Sequence, residues 1–182
     1  SRRTDMWAPL TGAPAVHWRR DTSLMTETGN SVERVRAALQ KAGHPDTIEV
    51  FPDGTRTAQD AAAAVGCTVA QIAKSIVLRA GEQVVLVMTS GVNRVDVDKI
   101  SRALGARAKA ADGRWVRDTT GFAIGGVAPV GHIGRPQVFI DADLMTLDPI
   151  WAAAGSPRHV FRSTPSELVR LTGGTIADVK EG

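Results

Sequence analysis

The chain has 182 residues, long enough for one domain with a substantial core. With 43% hydrophobic and 23% charged residues it is globular in composition, and no apolar run nears the ~20 residues of a membrane span. A net charge of +3 is compatible with an anionic partner such as RNA, yet no dense basic stripe marks a nucleic-acid surface.

Residues 1–30 mix arginines, prolines and glycines with no sustained period, and no apolar core of a secretory signal is present. They are expected to be a flexible leader, with residues 31–182 forming the single domain. Asn30 with Glu33 resembles a capping arrangement for a helix whose apolar stripe is Val32, Val35, Leu39 and Ala42, ending near Gly43. Residues 47–51 alternate as a strand, and Pro52-Asp53-Gly54 is a turn. Thr57 and Asp60 can cap an alanine-rich helix that stops at Gly66. Thr68 with Gln71 is a second capping box leading to Lys74.

Residues 75–79 and 83–89 flank Ala80-Gly81-Glu82 as a hairpin. A helix is expected from Asp96 to Leu104, closed by Gly105, then a short strand over 106–110 and a brief helix near Trp115. After a glycine-rich loop at Gly125, residues 137–141 read as a strand. Thr164-Pro165-Ser166-Glu167 opens a helix that ends at Gly173, and a last strand is expected over 176–179. Short strands mixed with helices and hairpins favour α+β with a mixed sheet over a doubly wound fold. There is no internal repeat and no glycine-rich phosphate loop of known spacing.

Two segments stand out chemically. Lys74 is one of only five lysines and sits in Gln71-Ile72-Ala73-Lys74-Ser75-Ile76-Val77-Leu78, read as a helix end passing into a buried strand. An unpaired ammonium costs several kcal/mol to bury, so this lysine is at a strand end, paired, or placed for chemistry. Gly125-Gly126-Val127-Ala128-Pro129-Val130-Gly131 is too rich in glycine for a strand interior. It is either a tight loop without a ligand or a segment that lets a substrate approach backbone N–H groups.

Other candidates keep a plainer reading beside the functional one. Cys67, the only cysteine, excludes an intramolecular disulfide and a four-thiolate metal site and reads as a packed thiol in a reducing cytoplasm. His17, His44, His132 and His159 lack metal-ligand spacing, and no metal is expected. His132 reads as a surface histidine, with a general base or ribose contact as the alternative, and His159 is a comparable candidate near a strand start. Asp96 and Asp98 read as helix-capping carboxylates.

Several segments recur together and in order: Pro52-Asp53-Gly54-Thr55-Arg56-Thr57-Ala58, Ile72-Ala73-Lys74-Ser75-Ile76-Val77, Asn93-Arg94-Val95-Asp96, Gly121 through Gly131, and the helix over 164–171. They resemble the YbaK/EbsC family, the prolyl-tRNA synthetase associated editing domain, over roughly residues 31–180. The resemblance implies a mixed, barrel-like sheet surrounded by helices. It implies a trans-editing deacylase that hydrolyses the ester of mischarged aminoacyl-tRNA, commonly tRNA(Pro) carrying a small wrong amino acid such as Ala, Cys, Ser or Thr.

The family's key lysine falls on Lys74 and its glycine-loop residue on Gly125, with Gly126 beside it. Phe51, Thr57, Ser75, Pro129, His132 and His159 are the expected substrate-binding residues. No cofactor is implied. The expected partners are the 3′-terminal adenosine and acceptor stem of aminoacyl-tRNA, and prolyl-tRNA synthetase as a candidate protein partner. A non-catalytic module binding a tRNA end or nucleotide, and a hydrolase of small nucleotide esters, are the alternatives.

Overall fold

The computed structural model describes residues 23–51 and 57–182, with side chains from Asn30 onward. Most of the expected leader and the Pro52-Asp53-Gly54 turn lie outside the described residues. Residues 31–182 form one compact unit.

Helix α1 (Ser23–Lys41) starts ahead of Asn30, so Asn30 is an interior residue and not the cap expected from its spacing to Glu33. Nothing between Ser23 and Asn30 stops a helix: there is no proline, and one glycine costs only about 1 kcal/mol against alanine. The expected stripe is present, with Val32, Val35 and Leu39 buried. Strand β1 is Ile48–Val50, and helix α2 is Ala58–Val65. Thr57 and Asp60 form a reciprocal capping box at its start, and Gly66 ends it at φ 77°. A 3₁₀ turn, Val69–Gln71, carries the Thr68–Gln71 box and runs into β2 (Ile72–Ala80), which pairs with β3 (Gln83–Ser90) as an antiparallel hairpin.

Helix α3 (Val97–Leu104) is capped by Asp96 and closed by Gly105; β4 is Lys109–Ala110; and α4 (Gly113–Thr120) is capped by Asp112. Strand β5 (Gln137–Asp141) leads into a 3₁₀ turn over Ala142–Thr146. An antiparallel pair follows: β6 (Ile150–Ser156), which the sequence pattern did not announce, and β7 (His159–Ser163), which begins at the strand start expected near His159. Helix α5 (Pro165–Thr172) has its Thr164 cap and first-turn proline, and β8 (Thr175–Ala177) ends the sheet.

The eight strands form one mixed sheet in the order β1-β7-β6-β2-β3-β5-β8, with β4 on the edge of β2. The α+β class and mixed sheet are as expected. The sheet has free ends at β1 and β8, so it is not a closed barrel.

Side chains alternate across β2, and this decides where the lysine stands. Ala73 and Val77 face a core shared with Leu86, Met88, Ala152, Ala154, Phe161, α1, α4 and the Val127–Val130 segment. Ile76 and Leu78 face a second core under α3. Ile72 belongs to a third, with Phe51, Trp151 and Val160 under α2. Lys74 shares the face of Ile72, Ile76 and Leu78. It therefore lies in the gap between the α2 and α3 cores.

Candidate functional site

Lys74 is inside β2, two residues past its start, where the short Val69–Gln71 turn has passed into the strand. It is half-buried, and its Nζ donates to the main-chain carbonyl of Asn93 at 2.8 Å. Burial pulls its pKa below the ordinary lysine value; the nearby Arg94 adds to this and Asp141 opposes it. A carbonyl orients an ammonium without neutralising it, so the charge remains available to an anion or developing oxyanion.

Asn93 is itself held. Its side-chain amide donates to Asp141 Oδ2 at 2.8 Å and to Asp143 Oδ2 at 2.9 Å. Asp141 is 1% exposed, and its carboxylate also accepts from the Thr89 hydroxyl, the Ser90 N–H and the Asp143 N–H. A buried carboxylate is tolerable only when its lone pairs are filled in this way. Lys180 Nζ meets Asp143 Oδ2 at 2.7 Å, which depresses the Asp143 pKa and raises that of Lys180.

The glycine loop forms a second station. Gly125 is exposed and adopts φ 94°, a region costly for residues with a Cβ, yet the space beside it is open. A Cβ there would meet only Pro157 Cγ, at 3.8 Å. Gly126 differs. A Cβ on it would lie 2.7 Å from Ser156 Cα and 2.9 Å from Ser156 C, so the bare backbone is what lets the loop sit on the end of β6. The Gly126 N–H donates to Ala123 O at 2.9 Å, which commits it to the loop's own turn.

Ser156 is buried and joins this loop to His159. Its Oγ accepts from the Arg158 N–H at 3.0 Å and stands 2.6 Å from His159 Nδ1. The hydroxyl keeps both a donor hydrogen and a second acceptor lone pair, so it pairs with Nδ1 in either imidazole tautomer. Burial, then Arg158 and Arg36, hold the His159 pKa below its usual value, so the ring is neutral near pH 7. Phe51 is buried at this station, with its N–H on Arg158 O at 2.8 Å and Arg158 Nε on Phe51 O at 3.0 Å.

The structure thus gathers Phe51, Gly125, Gly126 and His159 around residues 156–158. Among the described residues no hydrogen bond joins them to Lys74, which connects to them through the sheet. Ala73 pairs with Ala152, and the next residue of β6, Ala153, pairs with Val160.

The other expected site residues have structural partners. Ser75 points to the opposite face of β2 from Lys74 and donates to Met88 Sδ at 3.4 Å. The exposed Thr57 is the helix cap. Pro129 is buried in the loop's inner segment. His132 is not the surface residue of the plainer reading. Its Nε2 lies 2.6 Å from Ala128 O, and its Nδ1 is buried without a hydrogen-bond partner. Its ring meets Phe122 edge-on at 5.1 Å between centroids, and burial lowers its pKa. Cys67 is half-buried, donates to Thr68 O, and has its pKa raised by burial, which suits a packed thiol. Among the described residues no cluster of three His, Cys, Asp or Glu forms a metal site, and no helix is long and apolar enough to cross a membrane.

Sequence reasoning passed over Asn93, Asp141 and Ser156. Asn93 stands in a segment already conspicuous as Asn93-Arg94-Val95-Asp96, whereas Asp141 looks like any strand-end carboxylate until the fold brings it to β3.

Comparison with known proteins gives a consistent result. The sequence model of a family described as the aminoacyl-tRNA editing domain matches residues 52–171. The Bacillus subtilis (strain 168) protein YwhH, itself uncharacterized, is 30% identical over 139 residues, covering 76% of this chain and 88% of YwhH. A crystal structure provisionally described as a trans-editing enzyme for prolyl-tRNA synthetase superposes with a TM-score of 0.80 at 45% identity, covering 84% of this chain and 98% of that one. A chain from computational work on grafting epitopes onto scaffold proteins gives a TM-score of 0.80 at 44% identity, with the same two coverages of 84% and 98%.

Proposed function

This chain belongs to the aminoacyl-tRNA editing domain family, the family its YbaK-like motifs resemble, and on that premise we propose that it is a freestanding deacylase of mischarged aminoacyl-tRNA. The substrate of this reading is tRNA(Pro) carrying Ala, Cys, Ser or Thr. The observation that carries it is Lys74: a half-buried ammonium oriented by a neutral carbonyl, on a sheet face between two apolar cores.

An aminoacyl ester is already activated, so its hydrolysis needs positioning and charge stabilisation more than a protein nucleophile. In the proposed reaction, water adds to the ester carbonyl carbon and the carbonyl oxygen becomes the oxyanion. The bond to the ribose oxygen then breaks, and that oxygen takes the proton lost by the water. Free amino acid and uncharged tRNA leave. Lys74 compensates the negative charge of the oxyanion or of the terminal nucleotide.

Gly125 offers close backbone approach, and Gly126 allows the loop to rest against Ser156. With Nδ1 engaged by Ser156, His159 meets substrate through Nε2, as donor or acceptor according to its tautomer. Phe51, beside Trp151 and Val160, supplies an apolar wall for a small side chain. Thr57, Ser75, Pro129 and His132 enter this reading only through capping and packing, since Ser75 faces away from Lys74 and the other three are engaged within the protein. The acceptor stem and prolyl-tRNA synthetase are the partners of this reading, in the cytoplasm.

The test is deacylation of tRNA(Pro) charged with Ala, Cys, Ser, Thr or Pro, with wild type and Lys74→Ala in parallel. Selective loss of one mischarged species is expected, slowed about 10²–10³-fold in the variant, while circular dichroism shows it folded. Binding of charged tRNA without turnover across the panel would instead establish a non-catalytic module. Equal turnover by a folded Lys74→Ala would overturn the site.

A further inference from the structure

Lys74 is oriented at one remove from any charge. Its partner is a main-chain carbonyl in the loop after β3, and a carbonyl there is only as fixed as the loop. The loop is fixed by the Asn93 side chain, whose two amide hydrogens go to two carboxylates, Asp141 at 2.8 Å and Asp143 at 2.9 Å. Asp141 is in turn immobilised by the hydroxyl of Thr89 and the N–H of Ser90, each at 3.0 Å. Thr89 pairs with Lys74 across the β2–β3 ladder. The chain of contacts therefore closes on itself: Lys74, Asn93, Asp141, Thr89 and back to Lys74.

We propose that Asn93 and the buried Asp141 are positioning residues. They lock the Asn93 carbonyl in place and so fix where the Lys74 ammonium is presented. Neither needs to touch substrate. The inference rests on the reading of Lys74 as the charge-stabilising group, but the placement of its ammonium is measurable without any substrate. The charged groups around that ammonium are Arg94 in the same loop, Asp141 at the end of β5, and Asp143 and Lys180, which pair with each other beside Asn93. Removing the Asp141 charge leaves Arg94 less opposed, so Lys74 loses its proton more readily.

The experiment compares wild type, Asn93→Ala, Asp141→Asn and Asp143→Ala in the full chain. The first readout is acylation by an amine-reactive anhydride, mapped by mass spectrometry, with the exposed Lys109 as internal reference. In Asn93→Ala and Asp141→Asn the ratio of Lys74 to Lys109 labelling should rise at least ~3-fold, from a freed or more easily deprotonated amine. Asp143→Ala removes only one of the two anchors, keeps the buried carboxylate, and should shift the ratio in the same direction by less.

The second readout is single-turnover deacylation. The rate constant should fall about tenfold or more in Asn93→Ala with KM little changed, and the alkaline limb of the Asp141→Asn profile should move to lower pH. A merely structural role would lower stability while leaving the labelling ratio and the limb where they are. An unchanged ratio in the folded variants overturns the proposal. If Asn93→Ala or Asp141→Asn does not fold, Asp143→Ala decides it by the same ratio. If labelling shifts while wild type deacylates nothing, the positioning stands and the deacylase reading falls.

Discussion

The two stations of the site solve opposite problems. At Lys74 a charge must be kept half out of water, and the protein surrounds it with polar groups that satisfy one another down to the buried Asp141. At the glycine loop a surface must be left bare, and the protein does this by omitting side chains: Gly126 lies where a Cβ would meet the Ser156 backbone, and Gly125 faces open space. One station depends on hydrogen bonds whose partners are far apart in sequence, the other on volume and backbone conformation. The first should therefore be broken by isosteric polar changes that add no bulk, and the second by a single methyl group.

Substituting the two adjacent glycines is the strongest test of that contrast. In Gly126→Ala the new methyl meets main-chain atoms of Ser156, which cannot rotate away, and overpacking of this kind costs about 1–3 kcal/mol. Because Ser156 also holds His159, the loop and the imidazole should shift together, and deacylation should fall more than stability alone explains. In Gly125→Ala the methyl has room, and the cost is the left-handed backbone alone, about 1–2 kcal/mol. Urea unfolding and deacylation on both variants should rank Gly126→Ala as the more damaging in each assay. Deacylation by folded Gly125→Ala should fall as well, because its methyl enters the open space through which substrate approaches the backbone; undiminished turnover would remove Gly125 from the site.

The stations should also separate by pH. Between pH 7.5 and 5 the lysine region keeps its protonation, because Lys74 and Lys180 are cations and Asp143 is held below the usual carboxylate value. The loop region carries two histidines whose folded pKa values are depressed, His132 by burial and Arg34, and His159 by burial, Arg158 and Arg36. Above about pH 6.5 both are neutral folded and unfolded and contribute no pH dependence. As pH falls past that value the unfolded chain binds protons first, so stability drops until the folded pKa values are reached. His132 has nowhere to put a second proton, since its Nδ1 is buried without a hydrogen-bond partner. Urea midpoints at pH 7.5 and 5.5 should fall in wild type and fall less in His132→Leu, even though that variant loses the bond to Ala128 O. An equal drop in both proteins would remove His132 from the account.

The same contrast explains what the sequence could reveal. Caps and turns were legible because they are local: Thr57 with Asp60, Thr68 with Gln71, Asp96 with Gly105, and Thr164 with Pro165 all satisfy their bonds within one or two turns of chain. Lys74 was legible as a cation in an apolar run, and the loop as an excess of glycine. A strand start near His159 was legible too, but its hairpin partner β6 was not. Ile150–Ser156 is buried along nearly its whole length and lacks the alternation that marks a strand with one wet face, and its alanines carry little strand preference. Asp141 was invisible because its bond to Asn93 spans 48 residues, and only the β3–β5 pairing brings the two together. The start of α1 was misplaced because the Asn30–Glu33 spacing of a capping box also occurs inside a helix.

The smallest effect separates a local role from a functional one at Thr57. Its Oγ1 accepts the Asp60 N–H at 3.0 Å, and its own N–H reaches Asp60 Oδ2 at 3.3 Å. Thr57→Ala removes the cap and should cost about 1 kcal/mol, whereas Thr57→Ser keeps the hydroxyl and should cost almost nothing. The two variants also differ in what they take from a pocket. Serine loses only the methyl group, so a Thr57 that lines the amino-acid pocket would relax discrimination between alanine and larger side chains in the serine variant while leaving stability intact. A Thr57 that only caps α2 would leave selectivity unchanged in both variants and show a stability difference between them alone. Urea midpoints together with the ratio of Ala-tRNA to Thr-tRNA deacylation distinguish the two. The second outcome is favoured because the Asp60 N–H fixes Oγ1 over the first turn of α2, although the hydroxyl hydrogen itself stays free to donate.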